Sequence, residues 1–162
     1  ISIIDVATNA VIGNITGLSA PTIIAITPDG TRAYVTDQLA GTSSVSVIDL
    51  TNPSFPIIAD IPLNSSSFGI AITPDGTRVY VASAGNSTVS VIDTATNTII
   101  DTITGILGAN VITITPDGTK AYVSSFSTDS VYVINLSDNS VITNIPTGTS
   151  PEGIGITPDG AR

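Results

Sequence analysis

Thr73-Pro74-Asp75-Gly76-Thr77-Arg78-Val79-Tyr80-Val81 is the stretch that decides the fold. It has the chemistry of a tight β-hairpin turn. Proline presets φ near about −65°, aspartate bonds its own backbone, and glycine accepts a positive φ. Ile70 and Ile72 precede the turn, and Val79 and Val81 follow it. Because such alternation is typical of strands, the stretch predicts two antiparallel strands, a and b, joined by a Pro-Asp-Gly turn.

The same turn occurs four times along the chain, and its prolines recur after 46, 42 and 42 residues. The predicted turn residues are Pro28, Asp29, Gly30, Pro74, Asp75, Gly76, Pro116, Asp117, Gly118, Pro158, Asp159 and Gly160. A repeat of this length that is built from short strands indicates a β-propeller or a β-solenoid. Both turns within a unit, Pro-Asp-Gly and Asp-x-x-Thr-Asn, are of the hairpin kind, so neighbouring strands are antiparallel. This favours radially packed propeller blades, which bury both faces of each sheet.

Each unit therefore reads as four strands, a to d. Counted from Ile1, the pattern predicts c and d, three complete sets, and a last a strand at 153–157, fifteen strands in all. The predicted units are a partial blade at 1–20, blades at 21–66, 67–108 and 109–150, and the start of another at 151–162. The b–c loops (37–44, 83–87 and 125–129) and the d–a loops (17–21, 62–67, 105–110 and 146–152) should share one face.

Composition narrows the function classes. The 162 residues carry a net charge of −9, with four basic side chains. This argues against nucleic acid and anionic membranes, which both attract Lys and Arg. His, Cys, Met and Trp are absent, so neither a histidine base nor a cysteine nucleophile is available. We expect no catalytic residues, no cofactor and no membrane span.

A family signature emerges at Tyr34-Val35-Thr36-Asp37, Tyr80-Val81-Ala82-Ser83 and Tyr122-Val123-Ser124-Ser125. With the Thr-Pro-Asp-Gly turns and Val89-Ser90-Val91-Ile92-Asp93-Thr94-Ala95-Thr96-Asn97, the chain resembles the YVTN-type β-propeller repeat family. The fourth residue departs from Asn each time. Similar repeats occur in archaeal surface-layer and secreted bacterial proteins, commonly as seven-bladed rings. The resemblance implies an extracellular module for adhesion or assembly, although related propellers include lactonase-like and haem- or quinone-associated enzymes.

The ends of the pattern predict open edges. The a strand at 153–157 and the first c strand would have unpaired edges, which β proteins avoid. We therefore expect these residues not to close a ring alone. A longer array, with seven blades, is one possibility, and a second chain that supplies the missing strand in a ring or filament is the other.

Acidic residues recur in two registers, at the Pro-Asp-Gly turns and at Asp5, Asp49 and Asp93. A carboxylate ring could bind Ca²⁺, but we expect each Asp to cap its own turn, so no metal site is predicted. The bases Arg32, Arg78, Lys120 and Arg162 should pair with nearby turn Asp residues, at ~0–1 kcal/mol each. A lactonase-like metal site would instead need Asp37, Asp129 and Glu152 to gather on the loop face.

Four Asn-x-Ser/Thr sequons, at Asn14, Asn64, Asn86 and Asn135, are possible glycosylation sites. The sequence favours a non-enzymatic, extracellular or cell-surface module that binds other protein chains, glycans or further copies of itself. Its partners should meet the loops, because functional residues favour loops on a rigid scaffold. The alternative is a secreted lactonase-like hydrolase.

Overall fold

The computed structural model describes residues 1–39, 42–63 and 65–162, and these form an all-β chain of fourteen strands without a helix. In chain order the strands are β1 (Ser2–Asp5), β2 (Ala10–Asn14), β3 (Pro21–Ile26), β4 (Arg32–Leu39), β5 (Thr42–Asp49), β6 (Ile57–Pro62), β7 (Ser67–Ile72), β8 (Arg78–Ser83), β9 (Thr88–Asp93), β10 (Thr98–Thr104), β11 (Ala109–Ile114), β12 (Lys120–Ser125), β13 (Ser130–Asn135) and β14 (Ser140–Pro146). Among the described residues, there is no helix that is long and apolar enough to cross a membrane.

The strands form one two-stranded and three four-stranded antiparallel sheets. β1 pairs with β2, and the other sheets have the orders β3-β4-β5-β6, β7-β8-β9-β10 and β11-β12-β13-β14. Neighbours in the chain are thus neighbours in the sheet, as hairpin turns require. In every four-stranded sheet the first strand occupies position a and the last occupies position d, while β1 and β2 occupy positions c and d.

Each Pro-Asp-Gly turn closes a hairpin with the left-handed glycine that its chemistry requires. Gly30, Gly76 and Gly118 have φ of 70°, 72° and 68°. In each turn the glycine N–H donates to the carbonyl of the threonine three residues earlier, at 2.8 Å. The a–b and c–d turns lie at one end of every sheet, which we call the turn face. The b–c and d–a loops lie at the other end, the loop face.

Three apolar clusters lie between successive sheets. Ile15, Ala33, Val35 and Ile48 join the first two sheets, with Ile3 packed against them. Tyr34, Val45 and Val47 pack with Val79, Val81 and Ile92 of the next sheet. Tyr80, Val89 and Val91 pack in turn with Ile112, Val123 and Ile134. Burial of such a side chain stabilises by about 1.5–3 kcal/mol, so the contacts between repeats contribute strongly to the stability of the fold.

The a strands β3, β7 and β11 lie side by side, and Gly69 sets how closely β7 approaches β11. A Cβ atom at Gly69 would lie 2.7 Å from the Ile112 backbone nitrogen and 2.8 Å from the Val111 Cα. Those atoms are backbone and cannot swing away, so only glycine fits there.

Each d strand contains a β-bulge. In β10, Ile99 pairs with Ile92 and Asp101 pairs with Val91, which leaves Ile100 as the extra residue. The same shift leaves Ile12, Ile58 and Ile142 unpaired in the other three sheets. A bulge interrupts the ladder and protects an outer strand from edge-to-edge pairing.

Two predictions about strands are wrong. Residues 153–157 were expected to form a fifteenth strand, but they form none. In the described residues, a single backbone hydrogen bond, from Thr157 N to Arg162 O at 2.7 Å, joins the segments before and after the last Pro-Asp-Gly turn. One such bond does not make a strand ladder. The predicted loop at 37–44 is largely strand, because Asp37 pairs with Ser44 and Gln38 with Ser43 as β4 and β5 lengthen. Polar side chains do not prevent pairing when they are hydrogen-bonded, and the buried Asp37 carboxylate accepts the backbone N–H groups of Ser19 and Ala20. Residues 40 and 41 of that loop lie outside the described residues.

Candidate binding surfaces

The loop face is held together by hydrogen bonds between the two kinds of loop, which confirms that they share one end of the sheets. Leu63 N donates to Ser43 O at 2.8 Å, Ile106 N to Ser87 O at 3.0 Å, and Thr147 N to Asp129 O at 2.8 Å. The same arrangement recurs in each four-stranded sheet. The loops therefore form a fixed surface rather than independent segments.

Two of the acids proposed for a metal site hold this surface in place. The Asp37 carboxylate accepts the backbone N–H groups of Ser19 and Ala20, at 2.8 and 2.5 Å. Asp129 Oδ1 accepts the N–H of Ser150 at 2.8 Å. Asp37 thus fixes the d–a loop that precedes its repeat, and Asp129 fixes the d–a loop that follows its repeat.

Glu152 takes part through its main chain, because its carbonyl accepts the Ser124 hydroxyl at 3.0 Å. Within residues 1–39, 42–63 and 65–162, no three acidic, histidine or cysteine side chains gather in a way that could hold a metal ion. A cavity of about 290 Å³ beside Asp37 also contains Asp60, whose carboxylate accepts the Ser46 hydroxyl at 3.1 Å.

Apolar side chains also reach solvent on the loop face. Leu107 lies in a d–a loop and Phe126 in the neighbouring b–c loop, and both are exposed. The Ser125 hydroxyl donates to the Leu107 carbonyl, so the two loops are joined directly. Because a large aromatic and an aliphatic side chain are exposed on two loops that are bonded to each other, these residues are candidate contacts for a partner.

On the turn face, each Asp of the Pro-Asp-Gly turns binds the hydroxyls and backbone of its own turn. Asp75 Oδ1 accepts the Thr73 hydroxyl at 2.5 Å, the Thr77 N–H at 3.0 Å and the Thr77 hydroxyl at 2.9 Å. These bonds, that from Thr73 first, lower the pKa of Asp75. Asp29 and Asp117 accept equivalent bonds, and Asp159 accepts the Thr157 hydroxyl and the Ala161 N–H. These bonds lower the pKa values of all three residues. The turn carboxylates thus act within the turn.

The c–d turns use the same chemistry. Asp93 Oδ1 accepts the N–H of Thr96 at 2.8 Å and its hydroxyl at 2.9 Å, and these bonds lower the pKa of Asp93. Asn97, which follows, has a left-handed φ of 54°. Asparagine tolerates that conformation better than most residues.

Successive repeats are linked by a tyrosine–asparagine hydrogen bond that the sequence did not predict. The Tyr34 hydroxyl donates to Asn97 Oδ1 at 2.7 Å, and the Tyr80 hydroxyl donates to Asn139 Oδ1 at 2.8 Å. Both tyrosines are fully buried, and burial raises their pKa values. The signal available in the sequence was the joint recurrence of Tyr in b strands and Asn in c–d turns.

The prediction for the arginines is corrected. Arg32 Nη1 donates to the Thr94 carbonyl at 2.6 Å, and Arg78 Nη1 donates to the Leu136 carbonyl at 3.3 Å. Each guanidinium therefore reaches the c–d turn of the next repeat rather than a carboxylate of its own turn. A cleft of about 570 Å³ lies at one such junction, between Asp75 and Arg78 on one side and Asp117 on the other.

The sequons occupy different settings. Asn86 is exposed in a b–c loop, and Asn14 is exposed at the end of β2. Asn135 is half-buried, and its Oδ1 accepts the N–H and hydroxyl of Ser137 at 3.1 and 3.0 Å. Asn64 lies outside the described residues. Glycosylation at these positions stays a prediction.

Neither a protein-family model nor a curated protein matches the chain. Among solved structures, Kuenenia stuttgartiensis hydrazine synthase is similar with a TM-score of 0.80 and 27% identity, over 91% of this chain and 44% of that chain. A functionally unknown protein from Desulfotomaculum acetoxidans DSM 771 is similar with a TM-score of 0.78 and 23% identity, over 94% and 50%. The chain spans about half the length of these two structures. With its repeated four-stranded antiparallel sheets, it has a β-propeller-like fold.

Proposed function

We propose that the chain is a non-enzymatic propeller module of the YVTN type, which works outside the cell or on its surface and binds other proteins through the loop face. The single observation that carries the proposal is that Leu107 and Phe126 are both exposed on neighbouring loops that are hydrogen-bonded to each other. Aromatic side chains held on a rigid base are the usual anchors of protein interfaces.

The condition of the loop-face acids supports a binding role over a hydrolytic one. Asp37 and Asp129 accept backbone N–H groups of the d–a loops. A metal ligand or general base needs a free lone pair directed at the substrate, whereas both oxygens of Asp37 and Oδ1 of Asp129 accept backbone N–H groups. An activity like that of the hydrazine synthase is not part of the proposal, because the chain spans only 44% of that protein's chain.

Photo-crosslinking tests the partner surface. Benzoylphenylalanine placed at Phe126 should capture a discrete protein from the surface or secreted fraction of the source cells. The matched control is the same residue at Ile100, which is similarly exposed on an outer strand. Equal capture at both positions, or capture of cytosolic proteins alone, would contradict the proposal.

The rival reading, a lactonase-like hydrolase, has its own test. Purified chain is assayed for hydrolysis of lactones and aryl esters with added Ca²⁺ or Mn²⁺, and we expect no turnover. Reproducible turnover that is lost in Asp37→Asn and Asp129→Asn, with folding retained by circular dichroism, would replace the binding module with the hydrolase.

A further inference from the structure

The cavity beside Asp37, at the loop end of the first four-stranded sheet, is rich in hydroxyls and carboxylates. It has a volume of about 290 Å³, and its residues belong to the d–a loop at 17–21 and to strands β4, β5 and β6. Its serines and acids are Ser19, Asp37, Ser43, Ser44, Ser46 and Asp60. The cavity therefore has the polar lining of a ligand site, and it lies against a complete sheet.

The strand register brings several of these polar residues onto one face of the sheet. Ser46 pairs with Asp60 in the ladder between β5 and β6, and Ser44 pairs with Asp37 in the ladder between β4 and β5. Residues two apart in a strand share a face, so Ser44 lies on the same face as Ser46. Val45, between them, packs into the core on the opposite face.

The hydrogen bonds of the cavity fix its wall and leave acceptors open. Asp37 accepts the backbone N–H groups of Ser19 and Ala20, and so holds the d–a loop against the sheet. Ser46 is 4% exposed, and its hydroxyl donates to Asp60 Oδ1 at 3.1 Å. Asp60 is exposed, and its Oδ2 atom accepts no hydrogen bond from a described residue. A carboxylate oxygen at the edge of the cavity is therefore available to a ligand.

This sheet departs from the repeat at the same place. At the register positions of Asp37 and Asp60, the other two four-stranded sheets have uncharged residues, namely Ser83 and Thr102 in one sheet and Ser125 and Asn144 in the other. β4 and β5 are eight residues long, whereas the b and c strands of those sheets have six. Insertions in single repeats are often found on a binding face. Both departures meet at this cavity.

The charges around the cavity favour a neutral ligand. All four basic side chains of the chain follow Pro-Asp-Gly turns, at the opposite end of the sheets, so an anion would meet carboxylates without a balancing cation. A cationic amine would favour two free carboxylates, but both oxygens of Asp37 already accept N–H groups. In the described ranges, no three side chains gather that could hold a metal ion.

The lining also has the mixture of groups that a sugar ring requires. Sugar hydroxyls donate to a carboxylate such as Asp60, and they both donate to and accept from serine hydroxyls. Ile57 and Pro62 line the same cavity and offer apolar surface to the C–H groups of a ring. Small-molecule sites usually have volumes of about 300–1,000 Å³. A cavity at the lower end of this range has room for one ring.

We propose that this cavity binds one ring of a neutral sugar. Asp60 accepts hydroxyls of the ring, Ser44 and Ser46 exchange hydrogen bonds with the neighbouring hydroxyls, and Ile57 and Pro62 pack against its C–H groups. The ring belongs to a free sugar or to the end of a glycan chain, which offer the same hydroxyls. The assignment rests on the proposed function in taking the loop face as the binding face, but crosslinking at Phe126 probes a different loop and can succeed or fail independently.

Saturation-transfer-difference NMR on the purified chain tests the ligand class. The probes are glucose, galactose, mannose and N-acetylglucosamine, with putrescine as a cationic comparison. We expect transfer to at least one sugar, with a dissociation constant on the order of 1 mM, as suits a ligand held by a few hydrogen bonds. No transfer to any of the four sugars, or transfer to putrescine alone, would overturn the proposal.

Ser46→Tyr and Ser90→Tyr are a matched pair that locates the site. The two serines occupy the same register of β5 and β9 and are 4% and 6% exposed. Tyr132 occupies that register in β13, so the fold accommodates the larger side chain. Ser46→Tyr should fill the cavity and abolish transfer to the sugar, whereas Ser90→Tyr should leave it unchanged. Equal loss in the two variants would overturn the proposal.

A second pair tests the carboxylate without changing a buried residue. Asp60→Thr copies Thr102, which has the same register in β10, and it should weaken sugar binding roughly tenfold, the worth of a hydrogen bond to a charged acceptor. Asp101→Thr removes an exposed acid from an outer strand elsewhere and should leave the affinity unchanged. Unaltered affinity in Asp60→Thr, with its circular dichroism unchanged, would contradict the role of Asp60.

A glycan array separates the two sources of the ring. Retention of the chain by glycans that share one terminal sugar, lost in Asp60→Thr, would assign the end of a glycan chain. Binding of a free sugar in solution without retention on the array would assign a free sugar. Retention that Asp60→Thr and Ser46→Tyr leave unchanged would place glycan binding elsewhere and refute the proposed site.

Discussion

The Pro-Asp-Gly turns offer a matched pair of substitutions, Gly30→Ala and Gly76→Ala. Both glycines are left-handed, with φ of 70° and 72°. Alanine in that conformation costs about 1–2 kcal/mol in either position. The surroundings differ, since a Cβ at Gly30 meets no atom within 4 Å, whereas one at Gly76 lies 3.3 Å from Pro28 Cδ. The difference between the two variants therefore isolates the contact between successive turns.

We expect Gly30→Ala to lower the free energy of unfolding by about 1–2 kcal/mol, from backbone strain alone. Gly76→Ala should lower it by about 1 kcal/mol more, at the low end of the 1–3 kcal/mol typical of overpacking. The neighbouring proline ring can shift only slightly without moving its own turn. The added loss corresponds to a melting temperature lower by about 2–4 °C in a chain of this size.

The assay is urea unfolding, followed by far-ultraviolet circular dichroism. Equal losses in the two variants, within about 0.3 kcal/mol, would show that the Pro28 ring does not crowd a Cβ atom at Gly76. Losses below about 0.5 kcal/mol in both would refute the assignment of strain to the left-handed glycine.

Three further measurements address the inter-repeat contacts and the turn acids. Tyr80→Phe should cost about 0.5–1.5 kcal/mol of unfolding free energy, and a double-mutant cycle with Asn139→Gly, which keeps the left-handed turn, should give a coupling near 1 kcal/mol; a coupling of zero would contradict the hydrogen bond. Gly69→Ala should cost at least about 1–3 kcal/mol because its Cβ meets backbone, and an unchanged urea midpoint would contradict the close approach of β7 and β11. The free energy of unfolding should fall as the pH drops below the ordinary aspartate value of 3.8, because carboxyls with a lowered folded pKa bind protons first in the unfolded chain. Asp75→Asn should reduce the slope of the unfolding free energy against pH in this acid range. An unaltered slope would show that Asp75 does not contribute to the pH dependence.

The sequence predicted what is local and missed what joins distant residues. The turn at Gly76 was predictable because Pro, Asp and Gly each favour it through their own backbone chemistry. The bond from Tyr80 to Asn139 spans 59 residues, and no local preference of either residue encodes it. Arg78 was expected near Asp75, its neighbour in sequence, but stacking of the sheets brings the Leu136 carbonyl within its reach.

The loop face also shows that sequence does not predict contacts between distant residues. Asp37 was recognised as a loop-face acid, but its role depends on the backbone N–H groups of Ser19 and Ala20, whose direction only the folded d–a loop determines. The predicted end of β4 before Asp37 followed from polar composition, and the ladder that continues through Gln38 depends on pairing with β5. Pairing is a property of two segments, which a single stretch of sequence does not contain.

The tyrosine–asparagine bond places a hydroxyl donor on one side of a repeat and an amide acceptor on the other side. A tandem duplication of one such unit would create a junction that already contains this hydrogen bond, because the copied hydroxyl meets a copied amide. Arrays of this kind can therefore gain or lose whole repeats through recombination, without compensating substitutions at the new interface between repeats. The number of blades would then be limited by the curvature of the stack rather than by the chemistry of its joints.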